Sequence, residues 1–176
     1  MSQSDAPPPS LPFSPVQAGM LSQSLGRPGA GFYLQQFRVR FPRSLEPELM
    51  RRAWNFLLER HDSLRACVSF ADRGNSWYCA ADSVNIPFRF EDWSDVGATT
   101  QQRRLKAFLR DDRARGFAFD AAPLMRVALF RCSPTECTMV WTSHHLLFDG
   151  RSRSILLREL AAAYQAHEAG HSPSLP

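Results

Sequence analysis

Two adjacent histidines, His144 and His145, stand just ahead of an Asp149-Gly150 pair at the end of an apolar run. Imidazole is the side chain whose unperturbed pKa lies nearest neutrality, so histidine suits proton transfer or metal binding. A lone histidine says little, and by itself His145 reads as a packed or capping side chain. The carboxylate adds information. On a continuous helix Asp149 would share a face with His145, but Gly150 and the strand-like run before it point to a loop. There Asp149 can turn away, either to cap the helix that follows or to pair with a buried arginine. Gly150 gives the backbone freedom to turn and lets a substrate approach closely.

The other chemistry-bearing residues are less suggestive. Cys67, Cys79, Cys132 and Cys137 form no C-x-x-C pair, and no histidine stands at zinc-ligand spacing, so no metal site is expected. Reduced thiols in a cytoplasmic protein fit that pattern, with Cys132 and Cys137 flanking a turn. His61 follows Arg60 directly, and neighbours at a helix end point in different directions, which makes His61 structural. Arg65 suits either a salt bridge or the surface, and His167 and His171 are expected to be solvated.

The histidine motif needs a rigid base. Phe13 to Leu21 reads as a helix, with Ser14 as its cap and Pro15 in its first turn, and Gly26 to Gly31 breaks the chain. Phe32 to Phe41 alternates aromatic and β-branched residues with arginine and glutamine, the period of a half-buried strand. Glu46-Pro-Glu opens a helix whose apolar stripe is Leu49, Ala53, Phe56 and Leu57. Leu64 to Phe70 and Trp77 to Ala80 form a hairpin through Asp72 to Asn75, and Ile86 to Glu91 is a further extended piece. Thr99 to Arg115 is helical, with Leu105, Phe108 and Leu109 inward and its many charges on a solvated face. Leu124 to Cys132 and Thr138 to Ser143 are apolar enough for core strands. A last helix carries Leu157, Leu160, Ala161 and Tyr164 and stops before Gly170. The motif thus falls where a buried strand ends and a helix begins, a place from which side chains project into a cleft. The mixed elements predict an α/β layered fold without internal repeats.

The 176 residues suffice for one sizeable core, and 44% hydrophobic with 22% charged residues is a globular balance. Residues 1–10 are polar and Pro-rich and read as a disordered leader, with no signal peptide and no membrane span. The net charge of +4 comes from arginines spread along the chain, Lys106 being the one lysine, which argues against nucleic acid and leaves room for an acidic protein partner.

His144-His-Leu-Leu-Phe-Asp-Gly150 resembles the H-H-x-x-x-D-G signature of condensation domains in nonribosomal peptide synthetases. Three further segments agree in order: Phe13 to Leu21 with the family's opening motif, Arg60-His-Asp-Ser-Leu-Arg65 with its arginine-histidine-acid segment, and Phe119-Asp-Ala-Ala-Pro-Leu-Met-Arg126 with the stretch before the central strand. The seven-residue motif alone is less specific, because chloramphenicol acetyltransferase and related acyltransferases carry versions of it. The wording of the opening motif and of Asp112-Arg-Ala-Arg-Gly-Phe117 is similar to the subclass that takes a donor ending in a D-residue.

The resemblance implies a chloramphenicol acetyltransferase-like fold, a mixed β-sheet packed against helices, with residues 11–176 forming the amino-terminal lobe of a V-shaped, two-lobed domain whose carboxy-terminal lobe is absent. It implies an amide-forming reaction in which the α-amine of an acceptor aminoacyl thioester attacks a donor acyl or peptidyl thioester. Donor and acceptor peptidyl carrier proteins would present both substrates on their phosphopantetheine arms, so no directly bound cofactor is expected, and neither nucleic acid nor membrane is a partner. His145 is then the catalytic candidate and His144 the packing histidine behind it, with Asp149 paired to Arg60 and Gly150 at the turn. Two other readings stand beside this one: a fragment that binds a carrier protein or a second lobe without catalysis, and a coenzyme A-dependent acyltransferase.

Overall fold

The computed structural model describes residues 10–70, 76–79 and 84–175. Their elements run β1 (Ser10–Pro12), α1 (Pro15–Gly26), β2 (Leu34–Phe41), α2 (Pro47–Arg60), β3 (Ala66–Ser69), β4 (Ser76–Cys79), β5 (Phe88–Asp92), α3 (Ala98–Arg115), β6 (Met125–Ser133), β7 (Glu136–His144) and α4 (Gly150–Glu168). The main sheet has the order β2-β7-β6-β5, antiparallel except for the parallel β5–β6 pair. A small antiparallel sheet, β1-β4-β3, is tied to the loop ahead of β6, where the Val68 N–H donates to the Phe119 carbonyl at 2.7 Å.

Successive side chains on a strand point to opposite faces, so a central strand covered on both sides must be apolar throughout. β6 and β7 meet that demand. Met125, Val127, Leu129, Met139 and Trp141 face α2 and α4, while Ala128, Phe130 and Val140 face α3. The result is three layers, α2 and α4 on one side of the sheet and α3 on the other.

The two faces are held differently. On the first, Met50, Ala53, Trp54, Leu57 and Leu58 of α2 meet Leu156, Leu160, Ala163 and Tyr164 of α4, and Trp54 lies 4.9 Å from Trp141. Full burial of each such large side chain contributes about 1.5–3 kcal/mol. The second core has only Trp93, Ala128, Phe130 and Val140 fully buried, and α3 adds the half-buried Leu105, Phe108 and Leu109. The single buried residue of α3 is a charged one, Asp112.

Several elements differ from the sequence reading. The buried stripes of α2 and α4 are rotated by about one position from the expected sets. Leu49, Phe56 and Leu157 are only partly buried and Ala161 is exposed, because each helix wedges against both the sheet and its neighbour. The segment expected as strand from Leu64 begins with a 3-10 turn, Asp62–Arg65, and pairs only from Ala66. α1 runs past Leu21 and stops at Gly26, where the break was expected. Ser10, expected in the leader, opens β1; residues 1–9 and the hairpin turn Asp72 to Asn75 lie outside the described residues.

Candidate active site

β7, an interior strand, carries the histidine motif at its carboxy-terminal end. Its last residue, His144, pairs with Leu34 of β2 and is 2% exposed. The Leu146 N–H lies 3.3 Å from His144 Nδ1, which must therefore accept, so the ring proton sits on Nε2. Nε2 then donates to Ser24 Oγ of α1 at 3.2 Å, and the Ser24 hydroxyl donates to the Met20 carbonyl at 2.8 Å. Each polar atom of the neutral ring is used. Burial pushes the His144 pKa down to about 4, against an upward pull from the Phe32 backbone, and His145 beside it adds a smaller downward push. Phe119 meets the ring edge-on at 5.0 Å. His144 is thus a neutral packing side chain at neutral pH.

His145 lies past the strand's end and is partly exposed. Its backbone N–H donates to the Tyr33 carbonyl at 2.8 Å, and its Nδ1 lies 3.0 Å from the Phe148 carbonyl. A carbonyl only accepts, so Nδ1 carries the hydrogen and Nε2 of the neutral ring keeps a free lone pair. No described residue hydrogen-bonds to that Nε2. Gln17 of α1 steadies the loop by donating to the Leu146 carbonyl at 3.4 Å, and the same Gln17 closes the capping box with Ser14.

Asp149 and Arg60 do not pair, a correction to the sequence reading. Asp149 caps α4: its Oδ1 accepts from the Arg151 and Ser152 N–H groups at 3.1 and 2.9 Å and from the Ser152 hydroxyl at 2.9 Å. Those bonds, Ser152 first, hold its carboxyl below the usual range. Arg60 ends α2 beside Glu159, Nε to Oε1 3.5 Å, and donates to the Leu175 carbonyl at 3.3 Å. Glu159 follows Asp149 by ten residues of α4, about 15 Å of helix, which puts Arg60 out of the cap's reach. Of the two alternatives for Asp149, the cap is the one adopted. Gly150 is the first helical residue with no left-handed φ, and a Cβ there would meet nothing within 4 Å, so its backbone has no need of glycine and only the open approach remains.

The remaining candidates sort by contact. His61 bonds to Glu159, and Arg65 closes the end of α2 through the Leu58 and Glu59 carbonyls at 2.5 and 2.8 Å as well as pairing with Asp62. His171 is exposed as expected, whereas both ring nitrogens of His167 are turned away from water.

Sequence reasoning missed one polar cluster. Gln36 of β2, Thr142 of β7 and Arg126 of β6 are successive cross-strand partners, and all three point at α3. Asp112 sits on top of them, accepting from Thr142 Oγ1 at 2.7 Å, Gln36 Nε2 at 2.9 Å and Arg126 Nε at 2.5 Å. Burial raises the Asp112 pKa, but the bonds from Arg126, Thr142 and Gln36 outweigh it and the net shift is downward. Asp112 was expected on a solvated face. The signal was present, since Asp112 falls one turn after Leu105, Phe108 and Leu109 on the same stripe.

The condensation-domain family model matches residues 9–176. The chain belongs to the condensation-domain family. It is 36% identical over 163 residues to a linear gramicidin synthase of Brevibacillus parabrevis and 28% identical over 158 residues to bacitracin synthase 3 of Bacillus licheniformis. These matches cover 93% and 90% of this chain but only 3% and 2% of those proteins. Among solved structures, the starter condensation domain of rhizomide synthetase superposes with a TM-score of 0.83 at 20% identity, covering 96% of this chain and 40% of that one. The first condensation domain of the calcium-dependent antibiotic synthetase gives 0.82 at 19% identity, covering 94% and 39%. The fold is that of chloramphenicol acetyltransferase-like condensation domains, and the chain is a partial domain. No described helix is long and apolar enough to cross a membrane.

Proposed function

We propose that residues 11–176 are the amino-terminal lobe of a condensation domain and supply the histidine wall of its amide-forming site. The observation that carries this reading is the state of His145, with Nδ1 tied to the Phe148 carbonyl and Nε2 bare beyond the end of β7. An α-amine titrates near pH 8, so a fair fraction is neutral at pH 7 and needs little help to lose its first proton. Attack on the donor thioester then places positive charge on the amine nitrogen. His145 Nε2 accepts a hydrogen bond from that nitrogen, orients it, and takes its proton as the tetrahedral species forms; that species collapses to the amide as the C–S bond breaks and the donor carrier's phosphopantetheine leaves as the thiol, taking up the proton. His144 and Asp149 act from behind, one as a packed floor and the other as the cap that fixes the start of α4.

Donor and acceptor peptidyl carrier proteins bring the two thioesters on phosphopantetheine arms, and the carboxy-terminal lobe supplies the opposite wall. The site reads as cytoplasmic, and it requires no cofactor of its own. The test is single-turnover condensation by the intact two-lobed domain with preloaded donor and acceptor carriers. His145→Ala should slow amide formation by about 10²–10⁴-fold, the usual worth of a positioned acid-base group, with the fold retained. Near-normal turnover by that variant would overturn the assignment, as would transfer from acyl-coenzyme A in place of carrier-bound donors.

A further inference from the structure

Tyr33 adopts a left-handed backbone, φ 54°, and it is the one non-glycine residue to do so among those described. For a bulky L-residue that conformation is strained, so the surroundings must hold it in place. Three contacts do so. The Tyr33 hydroxyl donates to Gln23 Oε1 of α1 at 2.7 Å. Arg113, reaching from α3, uses a single nitrogen to bridge the Gly31 and Leu34 carbonyls on either side, at 3.2 and 3.1 Å. The Tyr33 carbonyl in turn receives the His145 N–H at 2.8 Å.

Position in the ladder explains what the conformation achieves. Leu34 and His144 form the last paired rung of β2 and β7. Had both strands continued, Tyr33 and His145 would be the next rung, and the His145 side chain would be fixed by the pleat. Turning Tyr33 to positive φ keeps a single bond to the His145 N–H and ends the ladder there, so the chain after His144 leaves the sheet. Gly31 completes the turn: its φ is +66°, and a Cβ there would lie 2.7 Å from Arg113 Cγ.

We propose that the Gly31–Leu34 turn is the device that sets the His145 imidazole, with Tyr33 and Arg113 as positioning residues for the reaction. This rests on the role given to His145 above. Both act through backbone, Tyr33 through its carbonyl and Arg113 by clamping the carbonyls that flank it. The requirement at position 33 is therefore a conformation, not a phenol.

The experiment compares Tyr33→Val, Tyr33→Asn and Tyr33→Phe in the intact condensation domain, reading the single-turnover rate, the apparent affinity for loaded carriers, and hydrogen exchange of the His145 amide. Valine resists positive φ, whereas asparagine tolerates it. Tyr33→Val should lose about tenfold or more in rate with affinity unchanged, since small misplacement of a reacting group is expensive, and its His145 amide should exchange faster. Tyr33→Asn and Tyr33→Phe should stay within a few-fold of the parent in both readouts. Arg113→Ala, at an exposed site that leaves the core intact, should show the same rate loss and recover on addition of guanidinium ion. A normal rate for Tyr33→Val, or an equally slow Tyr33→Asn, overturns the proposal, and so does a loss confined to carrier affinity. If the parent domain forms no amide, the role of His145 fails, while the exchange pattern across the variants still decides whether the turn holds it.

Discussion

Replacing His144 with glutamine should flatten the acid limb of the chain's stability curve. The imidazole takes its proton near 6.5 in the unfolded chain and only near 4 in the fold. Between those values the unfolded state binds a proton that the native state refuses, so stability falls as the pH falls through 6.5 and the loss saturates below about 4. Above 6.5 the ring is neutral in both states and contributes nothing. At 1.36 kcal/mol per pKa unit, the loss is about 2 kcal/mol at pH 5 and about 3 kcal/mol at pH 4. Glutamine can place a polar group where Nε2 lies and does not titrate in this range. Urea unfolding of the purified chain at pH 7, 5 and 4, followed by tryptophan fluorescence, gives the difference between parent and variant, in which other titrating groups cancel. Asp112 does not intrude above pH 5, because its carboxyl is shifted below the ordinary 3.8 and its own loss comes at lower pH. Parallel pH curves for parent and variant would show that the His144 ring reaches water and would remove the physical basis for its packing role.

Asp112→Ala should destabilise the chain by about 3–5 kcal/mol in the same assay, since it strands the buried Arg126 guanidinium, whereas Arg115→Ala, whose side chain is 65% exposed, should cost less than about 1 kcal/mol. Asp149→Ala should cost about 1 kcal/mol as a lost cap and Asp149→Asn almost nothing, because both Asp and Asn serve at that position; a large loss for Asn alone would restore a charge pair for Asp149. The isolated chain should self-associate at high concentration, visible by light scattering, because Leu11, Val16 and Ile155 are 68%, 66% and 46% exposed.

What the sequence conveyed and what it withheld divide along the range of the interactions. The capping box at Ser14 and Gln17 and the Pro-led start of α2 depend on residues three or four apart, and both could be read from their spacing. The strands β6 and β7 announced themselves because burial on two faces removes every polar alternative except where a polar row is needed. The parallel seating of β5 on β6 was not legible, since nothing local specifies which strand a short extended segment will join. Arg60 was assigned to Asp149 because the family resemblance pointed there. Its actual partner, Glu159, is 99 positions away on a helix whose facing side only the packing of α2 on α4 decides. Asp112 was the avoidable miss, for an acid in register with an apolar stripe demands a buried cation, and Arg126 stood in a segment already singled out.

Adjacent histidines have a consequence that a single one would not. The two residues are placed by different parts of the fold, His144 by its rung with Leu34 and His145 by the loop that leaves the sheet. His144 is therefore committed to the interior, where Ser24 and the Leu146 N–H use both of its nitrogens and burial keeps it uncharged. That commitment serves His145. In the reaction proposed above, a second imidazole that took up a proton at neutral pH would oppose the positive charge developing on the amine, whereas a neutral one would leave that charge to be met by the bare Nε2 of His145 alone. Fixing His144 also anchors the point at which the chain leaves the sheet, so that one hydrogen bond to Tyr33 and one to Phe148 suffice to aim the next ring. Exchanging the order of environments, a solvated first histidine and a buried second, would put the free nitrogen on the paired rung with Leu34, where β2 and the turn before it block access. The motif's doubled histidine is in this sense one ring with a free nitrogen and its foundation.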